Sequence, residues 1–180
     1  MGLSGGETTY NSLGVIRVSC YLVSACLLGI NCRYDGKDNR QPAIITALSR
    51  GFTLIPVCPE QLGGLPTPRA PAELSGGDGH RVLVGRATVI NREGMDVTSY
   101  FIRGAELTGQ LARLYQVNGA ILKENSPSCG SNQVYDGGFQ NRLIKGCGVT
   151  TALLKNHGLR VISERGDLDL FLLGGASPPG

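Results

Sequence analysis

Residues 15–24 read VIRVSCYLVS, a β-branched and nearly continuous apolar run. Such runs are typical of strands that are buried on both faces of a parallel sheet. Three further runs share this character, at residues 52–57, 119–123 and 159–163. Helical stretches are predicted between them, at residues 42–50, 97–116 and 149–156. Because strands and helices alternate, the sequence predicts an α/β fold with a mainly parallel, Rossmann-like sheet flanked by helices.

The length of 180 residues is enough for a single domain with its own hydrophobic core. We expect that domain to span residues 15–165, with a flexible leader at 1–14 and a C-terminal segment and flexible tail at 166–180. Residues 82–97, with a turn at Glu93 and Gly94, are expected to form a small hairpin.

Composition excludes several classes of protein. The net charge is only +3 and charged residues make up 17% of the chain, which is not the strongly basic balance of a nucleic-acid-binding protein. A mean hydropathy of +0.01 is too high for a disordered chain. The apolar stretch at residues 15–30 is shorter than the roughly 20 residues of a membrane helix, so no membrane partner is expected.

The six cysteines, beside two histidines, are the most informative residues. Disulfide scaffolds are typical of short secreted chains, whereas this chain is long enough to build a core. Residues 1–14 contain no Lys or Arg, unlike the start of a secretory signal. We therefore expect a cytoplasmic protein, in which clustered cysteines more often bind metal or catalyse a reaction than form crosslinks.

Three of the cysteines share one context. Cys26 follows the first predicted strand, Cys58 follows the second, and Cys129 lies six residues beyond Lys123 at the end of the third. Because the carboxyl ends of parallel strands meet at one edge, where open α/β folds bind their ligands, the three thiols are predicted to share a site. The alternative is three separately buried cysteines, since Cys packs as a small hydrophobic residue.

The other three cysteines have different expected roles. Cys20 lies about 20 Å from Cys26 along an extended strand, so core packing is its expected role. Cys32 lies beyond Gly29 and is a candidate accessory thiol or spare ligand if the chain folds back there. Cys147 precedes a predicted helix and is either a reactive or second-sphere thiol or a packed one.

The donor set favours iron and sulfur over zinc. Zinc sites usually contain a C-x-x-C pair or a histidine ligand, and neither spacing occurs here; His80 and His157 are expected at the surface. Iron–sulfur clusters are commonly held by four thiolates, so three equivalent thiolates leave one iron without a protein ligand. Such an iron is a Lewis acid with room for a substrate, and a soft sulfur atom suits it.

Five blocks of sequence carry a more specific signal: SACLLGINCRYDG (24–36), PVCPEQLGGLPTPRAPAEL (56–74), DVTSYFIRGAE (96–106), KENSPSCGSNQVYDGGF (123–139) and GVTTALLKNHGLRVISE (148–164). In content and order they resemble the thiouracil desulfidases (TudS), a family formerly labelled a domain of unknown function. The resemblance spans about residues 15–164. It departs from the family at Cys147, where the family more usually carries a non-cysteine residue.

The resemblance implies a [4Fe-4S] cluster held by Cys26, Cys58 and Cys129. It also implies a non-redox reaction in which a small thiolated pyrimidine and water give the pyrimidine and sulfide. On the family's template the sulfur of the substrate binds the open iron, which prepares the carbon of the C–S bond for water.

Further site residues follow from the same template. Glu60 is the expected general acid or base, since burial in a pocket can raise the pKa of a carboxylate; the alternative is a surface or helix-capping role. Ser126 is expected to bind substrate or water, or else to bond the local backbone as a turn hydroxyl. Three cations, Arg33, Arg69 and Lys123, are expected to orient a pyrimidine carbonyl or to balance the charge of the cluster.

Three other functions are open from the sequence. One is removal or transfer of sulfur on thiolated tRNA nucleosides, although the modest charge and the lack of an aromatic stacking platform argue against a polynucleotide partner. Another is a redox or sulfide-sensing module in which Cys147 supplies a fourth thiolate. The last is a structural domain that binds zinc.

Overall fold

The computed structural model describes residues 9–10, 16–17 and 19–173. Its strands are β1 (Thr9–Tyr10), β2 (Ile16–Arg17), β3 (Cys20–Ser24), β4 (Thr53–Val57), β5 (Ala72–Ser75), β6 (Thr88–Asn91), β7 (Gly119–Leu122), β8 (Gln133–Tyr135), β9 (Leu143–Lys145) and β10 (Val161–Ser163). Its helices are α1 (Pro42–Ser49), α2 (Pro59–Leu62), α3 (Gly79–Leu83), α4 (Thr98–Leu114), α5 (Val149–Asn156) and α6 (Leu168–Leu173), with a 3-10 helix at Ala25–Leu28.

Four parallel strands form the central sheet, in the order β10-β7-β3-β4. The two middle strands are apolar and buried on both faces, including all four residues of β7. Val23 of β3 lies opposite Ile121 of β7 on one side and Pro56 of β4 on the other. The structure confirms the predicted α/β domain with a mainly parallel sheet flanked by helices.

Side chains of β3 alternate between two layers of helices, as strand geometry requires. On one face, Tyr21 and Val23 pack with buried residues of α1 and with Phe171 of α6. On the other face, Leu22 packs with Leu154 of α5 and with residues that flank α4. Because both faces are covered, the loops at the carboxyl edge of the sheet are where a site can open to solvent.

The hairpin predicted at residues 82–97 is only partly borne out. An antiparallel bridge between Ile90 and Asp96 closes the expected turn, but the first residues of the segment belong to α3 and β6 pairs mainly with β5. Leu74 of β5 lies opposite Val89 of β6, and both are fully buried. Pairing with β5 therefore buries apolar surface that a local hairpin would leave exposed.

Helix α6 anchors the C-terminal segment to the core. Phe171 and Leu172 are 3% and 4% exposed. The Tyr21 hydroxyl donates to the Leu172 carbonyl at 3.1 Å, and the ring centroids of Tyr21 and Phe171 lie 5.5 Å apart. The packed part of the chain therefore continues beyond residue 165, and the tail expected at 174–180 lies outside the described residues.

The N-terminal strand is shorter than the run at residues 15–24 predicted. The sheet strand β3 begins at Cys20, whereas β2 pairs antiparallel with β1, which lies in the segment expected to be a flexible leader. The other residues of that leader lie outside the described part of the chain. Within the described ranges, no helix has both the length and the apolar character needed to cross a membrane.

Candidate functional site

A cavity of about 400 Å³ opens at the carboxyl edge of the central sheet. It lies where β3, β4 and β7 end, as the positions of the cysteines predicted. All eight of the predicted site residues line it: Cys26, Cys58, Cys129, Glu60, Ser126, Arg33, Arg69 and Lys123. The structure therefore brings together side chains that lie up to about a hundred positions apart in the sequence.

Each of the three predicted ligands is placed by the element that follows its strand. Cys26 lies in the 3-10 helix directly after β3, and Cys58 is the N-cap of α2 directly after β4. Cys129 lies in the loop after β7, where its backbone N–H donates to the Ser126 hydroxyl oxygen at 3.1 Å. The three strands are neighbours in the sheet, so their carboxyl ends deliver the thiols to one place.

Helix α2 lies directly against the backbone of α4. A Cβ at Gly63 would overlap a carbonyl oxygen of α4, and a Cβ at Gly104 would overlap the Pro59 carbonyl oxygen. Glycine at both positions lets the two helices touch. The position of Cys58 in the cavity is therefore set by α4 as well as by β4.

Cys32 is a fourth thiol of the cavity. The chain turns back at Gly29, which ends the 3-10 helix with a φ of 91°, and this turn returns Cys32 to the site. The Cys32 thiol is within hydrogen-bonding reach of the Cys26 and Cys58 thiols, and the Cys58 Sγ lies 3.7 Å from the Cys32 carbonyl oxygen. The accessory position considered for Cys32 from the sequence is thus the one it occupies.

Three of the cavity thiols, Cys32, Cys58 and Cys129, have raised pKa values, which favours their protonated form. Hydrogen bonding to Cys26 and burial raise the pKa of Cys32 to about 11, even though its contact with Cys58 acts in the opposite direction. The hydrogen bond with Cys32 and burial also raise the pKa of Cys58, and burial raises the pKa of Cys129 to about 12. Since metals bind thiolates, these protons must leave when a metal binds.

The remaining cysteines lie away from this group. Cys147 does not line the cavity, and the charged groups that act on its thiol are Asp78 and Lys155. The alternative in which Cys147 supplies a fourth ligand to the same centre is therefore not supported by its position. Cys20 packs with the core beside α4, in agreement with its expected packing role.

Glu60 and Arg69 form an ion pair at the wall of the cavity. The Arg69 Nε donates to the Glu60 Oε2 at 2.7 Å, and both side chains are largely buried. The other Arg69 nitrogens donate to the Cys32 and Pro66 carbonyls and to the Thr67 hydroxyl, each at 3.1 Å. Most of the Arg69 N–H groups donate to protein atoms. Arg69 therefore positions Glu60 and the Cys32 loop and has little donor capacity left for a substrate.

Ser126 has the turn-hydroxyl role considered for it, and it also lines the cavity. Its hydroxyl oxygen accepts hydrogen bonds from the Ser128 and Cys129 N–H groups, each at 3.1 Å. A serine hydroxyl has two acceptor positions and one donor hydrogen. Since both acceptor positions are used by the turn, Ser126 presents a fixed donor to the cavity.

Arg33 and Lys123 line the cavity but bind neighbouring protein groups. Arg33 makes two contacts of 3.1 Å to the Asp35 carboxylate. The Lys123 Nζ lies 3.1 Å from the Glu164 carboxylate and donates to the Glu124 carbonyl at 2.8 Å. Their charges reach the cavity, whereas most of their hydrogen-bonding capacity is used by the fold.

Glu124 is a site residue that the sequence did not single out. Its buried carboxylate accepts six hydrogen bonds, from the backbone of Asn125, Ser131, Asn132 and Gln133 and from the Ser131 and Asn132 side chains. Burial by itself raises the pKa of Glu124, but these hydrogen bonds outweigh it and lower the pKa to about 2. The carboxylate thus ties both ends of the loop that carries Ser126 and Cys129.

Asn125 is a second residue that the sequence did not single out. It lines the cavity with a φ of 62°, a left-handed conformation that Asn tolerates better than most residues. Among the buried side-chain nitrogen and oxygen atoms of the described residues, its Oδ1 is the one without a hydrogen-bond partner. A buried unpaired acceptor is unfavourable, so a bound molecule that donates to it would be favoured.

Comparisons with known proteins give matches over the same α/β domain. The chain matches the 2-thiouracil desulfurase family over residues 21–166. YbbK, an uncharacterized protein of Bacillus subtilis (strain 168), is 48% identical over 143 residues, which cover 79% of this chain and 94% of that protein. A solved structure described as the [4Fe-4S]-dependent thiouracil desulfidase TudS is 41% identical with a TM-score of 0.73, and the alignment covers 87% of this chain and 97% of that one. Since the family match includes the central sheet and all four cysteines of the cavity, the chain belongs to the 2-thiouracil desulfurase family.

Proposed function

We propose that this chain is a desulfidase that holds a [4Fe-4S] cluster on Cys26, Cys58 and Cys129 and removes sulfur from small thiolated pyrimidines. The observation that carries the proposal is the convergence of these thiols with Glu60 and Ser126 around one cavity. Membership of the family and the description of the related solved structure support it.

The residues of the cavity fit such a group. Cysteine thiolates are the usual ligands of iron–sulfur clusters, and three of them leave one iron without a protein ligand. Five cationic side chains line the cavity against three carboxylates, a balance that suits an anionic thiolate-bound cluster: Arg33, Arg69, Arg92, Lys123 and Arg165 against Glu60, Glu73 and Glu124. When bound, the cluster supplies a Lewis-acidic iron for the sulfur of the substrate.

Glu60 is placed to move a proton between water and substrate. Its Oε2 is held by Arg69 at 2.7 Å, while its Oε1 accepts no hydrogen bond from the described residues. A carboxylate with one oxygen held by a fixed partner can take a proton from water on its other oxygen. Arg69 thus acts as a positioning residue and Glu60 as the general base, which then returns the proton.

Ser126 and Asn125 provide two polar contacts for a pyrimidine ring. The Ser126 hydroxyl has only its hydrogen to offer, so it donates to a carbonyl oxygen or ring nitrogen of the substrate. The buried Asn125 Oδ1 accepts a hydrogen bond from a ring N–H. A thiolated pyrimidine carries both kinds of group, which orients the ring in the cavity.

The proposed reaction is balanced without a redox partner. One C–S bond breaks and one C–O bond forms at the same carbon, so that thiouracil and water give uracil and hydrogen sulfide. Water supplies the oxygen and both protons of the hydrogen sulfide. No electrons enter or leave, so a reductant is not required.

The test uses anaerobic protein loaded with four irons per chain. Incubation with 2-thiouracil or 4-thiouracil, without reductant, is expected to release uracil and sulfide in equal amounts. Glu60→Gln is expected to lower kcat by about 10²–10⁴ at unchanged iron content, the usual contribution of a general acid or base. Release of neither product from several thiopyrimidines by iron-loaded protein would overturn the proposal.

A Cys32→Ser variant distinguishes the proposed desulfidase from a redox or sulfide-sensing module. Its thiol is the one positioned to become a fourth thiolate, because it lies beside Cys26 and Cys58 in the cavity. If Cys32→Ser keeps the cluster and the activity, the desulfidase is supported. If it loses the cluster, four thiolates hold the metal and the sensing module is favoured.

A cytoplasmic location stays a prediction.

A further inference from the structure

A second group of potential metal ligands lies outside the cavity. Asp78, His80 and Cys147 each offer one ligand atom, and these atoms lie within 4.8 Å of one another. None of the three lines the cavity. They come from two segments, the start of α3 and the loop that precedes α5.

The backbone holds these two segments in contact. The Gly79 N–H donates to the Cys147 carbonyl at 2.6 Å. A Cβ at Gly79 would overlap the backbone of Gly148, and a Cβ at Gly146 would crowd the Asp78 side chain. Glycine on both sides therefore permits a close approach, which sets the Asp78 carboxylate against the Cys147 loop before any ligand binds.

All three ligand atoms are available. The Asp78 Oδ1 caps α3 by accepting the Arg81 N–H at 3.3 Å, whereas the Oδ2 accepts no hydrogen bond from the described residues. The His80 side chain is exposed, so its ring can rotate. The Cys147 thiol is free and the residue is only 4% exposed, which places a soft donor on the protein side of the group.

The chemistry of the donors is that of zinc. A thiolate, an imidazole and a carboxylate are the three side-chain ligands that Zn²⁺ takes. Bond lengths of 2.0–2.3 Å in a tetrahedron require about 3.5 Å between ligand atoms. The present spacing of up to 4.8 Å exceeds that value by about 1 Å, and rotation of the Asp78 and His80 side chains would close it.

The geometry points to a zinc site formed by Asp78, His80 and Cys147, distinct from the cysteine cavity. Binding forms a Zn–S bond and releases the thiol proton of Cys147 to solvent. Three protein ligands leave a fourth position, which water fills. The site is independent of the proposed desulfidase reaction.

Neighbouring charges act on the thiol in opposite directions. Burial and the Asp78 carboxylate raise the pKa of Cys147 to about 11, against the effect of Lys155. The Lys155 Nζ is held by the Ser131 carbonyl at 3.1 Å. Because zinc must displace the thiol proton at neutral pH, its binding is expected to weaken as the pH falls.

The site adjoins the segment that supports Cys129. The Gly148 N–H donates to the Gly130 carbonyl at 2.8 Å, and the Thr151 hydroxyl donates to the Cys129 carbonyl at 2.8 Å. Zinc would tie α3 to this segment and so stabilise the folded chain. A metal that binds only the folded state raises the midpoint of thermal unfolding.

The experiment titrates ZnCl₂ into the anaerobic, iron-loaded protein, in which the ligands of the cavity are already occupied. Zinc and iron per chain are measured after gel filtration, and thermal unfolding is followed with and without zinc. One zinc per chain with unchanged iron, and a raised midpoint, are expected. His80→Gln, an exposed position, and Cys147→Ser are each expected to weaken zinc binding by about 100-fold and to abolish the shift.

Two matched variants control for unspecific loss of a thiol or an imidazole. Cys20→Ser and His157→Gln are expected to keep one zinc per chain and the full shift. Absence of zinc from the wild-type protein would overturn the proposal. So would equal zinc binding by His80→Gln and the wild type, or equal loss in His80→Gln and His157→Gln.

Discussion

Replacement of Glu124 by Gln tests how the loop that carries Ser126 and Cys129 is held. The Glu124 carboxylate accepts six hydrogen bonds, four on Oε1 and two on Oε2. The amide keeps one acceptor oxygen but presents N–H groups where Ser131 and Asn132 side chains now donate. Two hydrogen bonds are therefore lost and the other four lose their charge assistance.

The magnitude follows from the difference between charged and neutral acceptors. Hydrogen bonds to a charged group contribute about 1.5–3 kcal/mol each, against about 0.5–1.5 kcal/mol for neutral pairs. The smaller cost of burying an amide offsets part of this loss. The expected net decrease in the free energy of unfolding of Glu124→Gln is about 3 kcal/mol at pH 7.

The dependence on pH gives a sharper check. Because the folded-state pKa of Glu124 is lowered to about 2, its contribution to stability is complete above the unfolded value near 4.3 and is lost as the pH falls towards 2. The difference between wild type and Glu124→Gln should therefore shrink below about pH 4.5.

Urea unfolding of the cluster-free protein, followed by circular dichroism, measures that difference. Glu106→Gln, on the exposed surface of α4, is the matched control and is expected to change stability by less than about 0.5 kcal/mol. A Glu124→Gln variant as stable as the wild type, or a difference that does not vary between pH 7 and pH 3, would refute the reasoning.

Three further predictions address the core, the metal ligands and the ion pair. Phe171→Ala should lower the free energy of unfolding by about 3–5 kcal/mol, whereas Leu170→Ala, at an exposed position, should change it little; urea unfolding compares them. Cys58→Ser should lose iron during anaerobic gel filtration, whereas Cys20→Ser should retain it. Arg69→Gln should lower kcat at least tenfold with a smaller change in KM, because Glu60 loses the partner that orients it; an unchanged kcat would argue for a purely structural role.

The sheet and the three cysteines at its edge were predictable because each depends on local pattern. Apolar runs identify the buried strands, and the order of the chain places Cys26, Cys58 and Cys129 after them. The expected roles of Glu60 and Ser126 came from resemblance to a family rather than from local pattern. The structure adds that Arg69 holds Glu60 and that the local turn leaves Ser126 as a donor.

Other parts of the site depend on contacts between distant segments. From the sequence, Cys32 was a candidate on the condition that the chain folds back at Gly29, and the structure shows that it does. Glu124 gains its partners from a loop seven to nine residues further along the chain. Helix α6 was missed because LDLFLL is short and its burial depends on packing against Tyr21, which is distant in the sequence.

The contact between α2 and α4 has a consequence for how variants of this protein would be interpreted. Gly104 does not line the cavity, yet a methyl group there would push on the Pro59 carbonyl at the start of the helix that presents Cys58 and Glu60. Loss of activity in a Gly104→Ala variant would therefore resemble an active-site lesion. In a genetic screen that measures activity, a substitution in α4 would then be indistinguishable from the loss of a metal ligand. The residues on which function depends thus extend one helix beyond those that line the cavity.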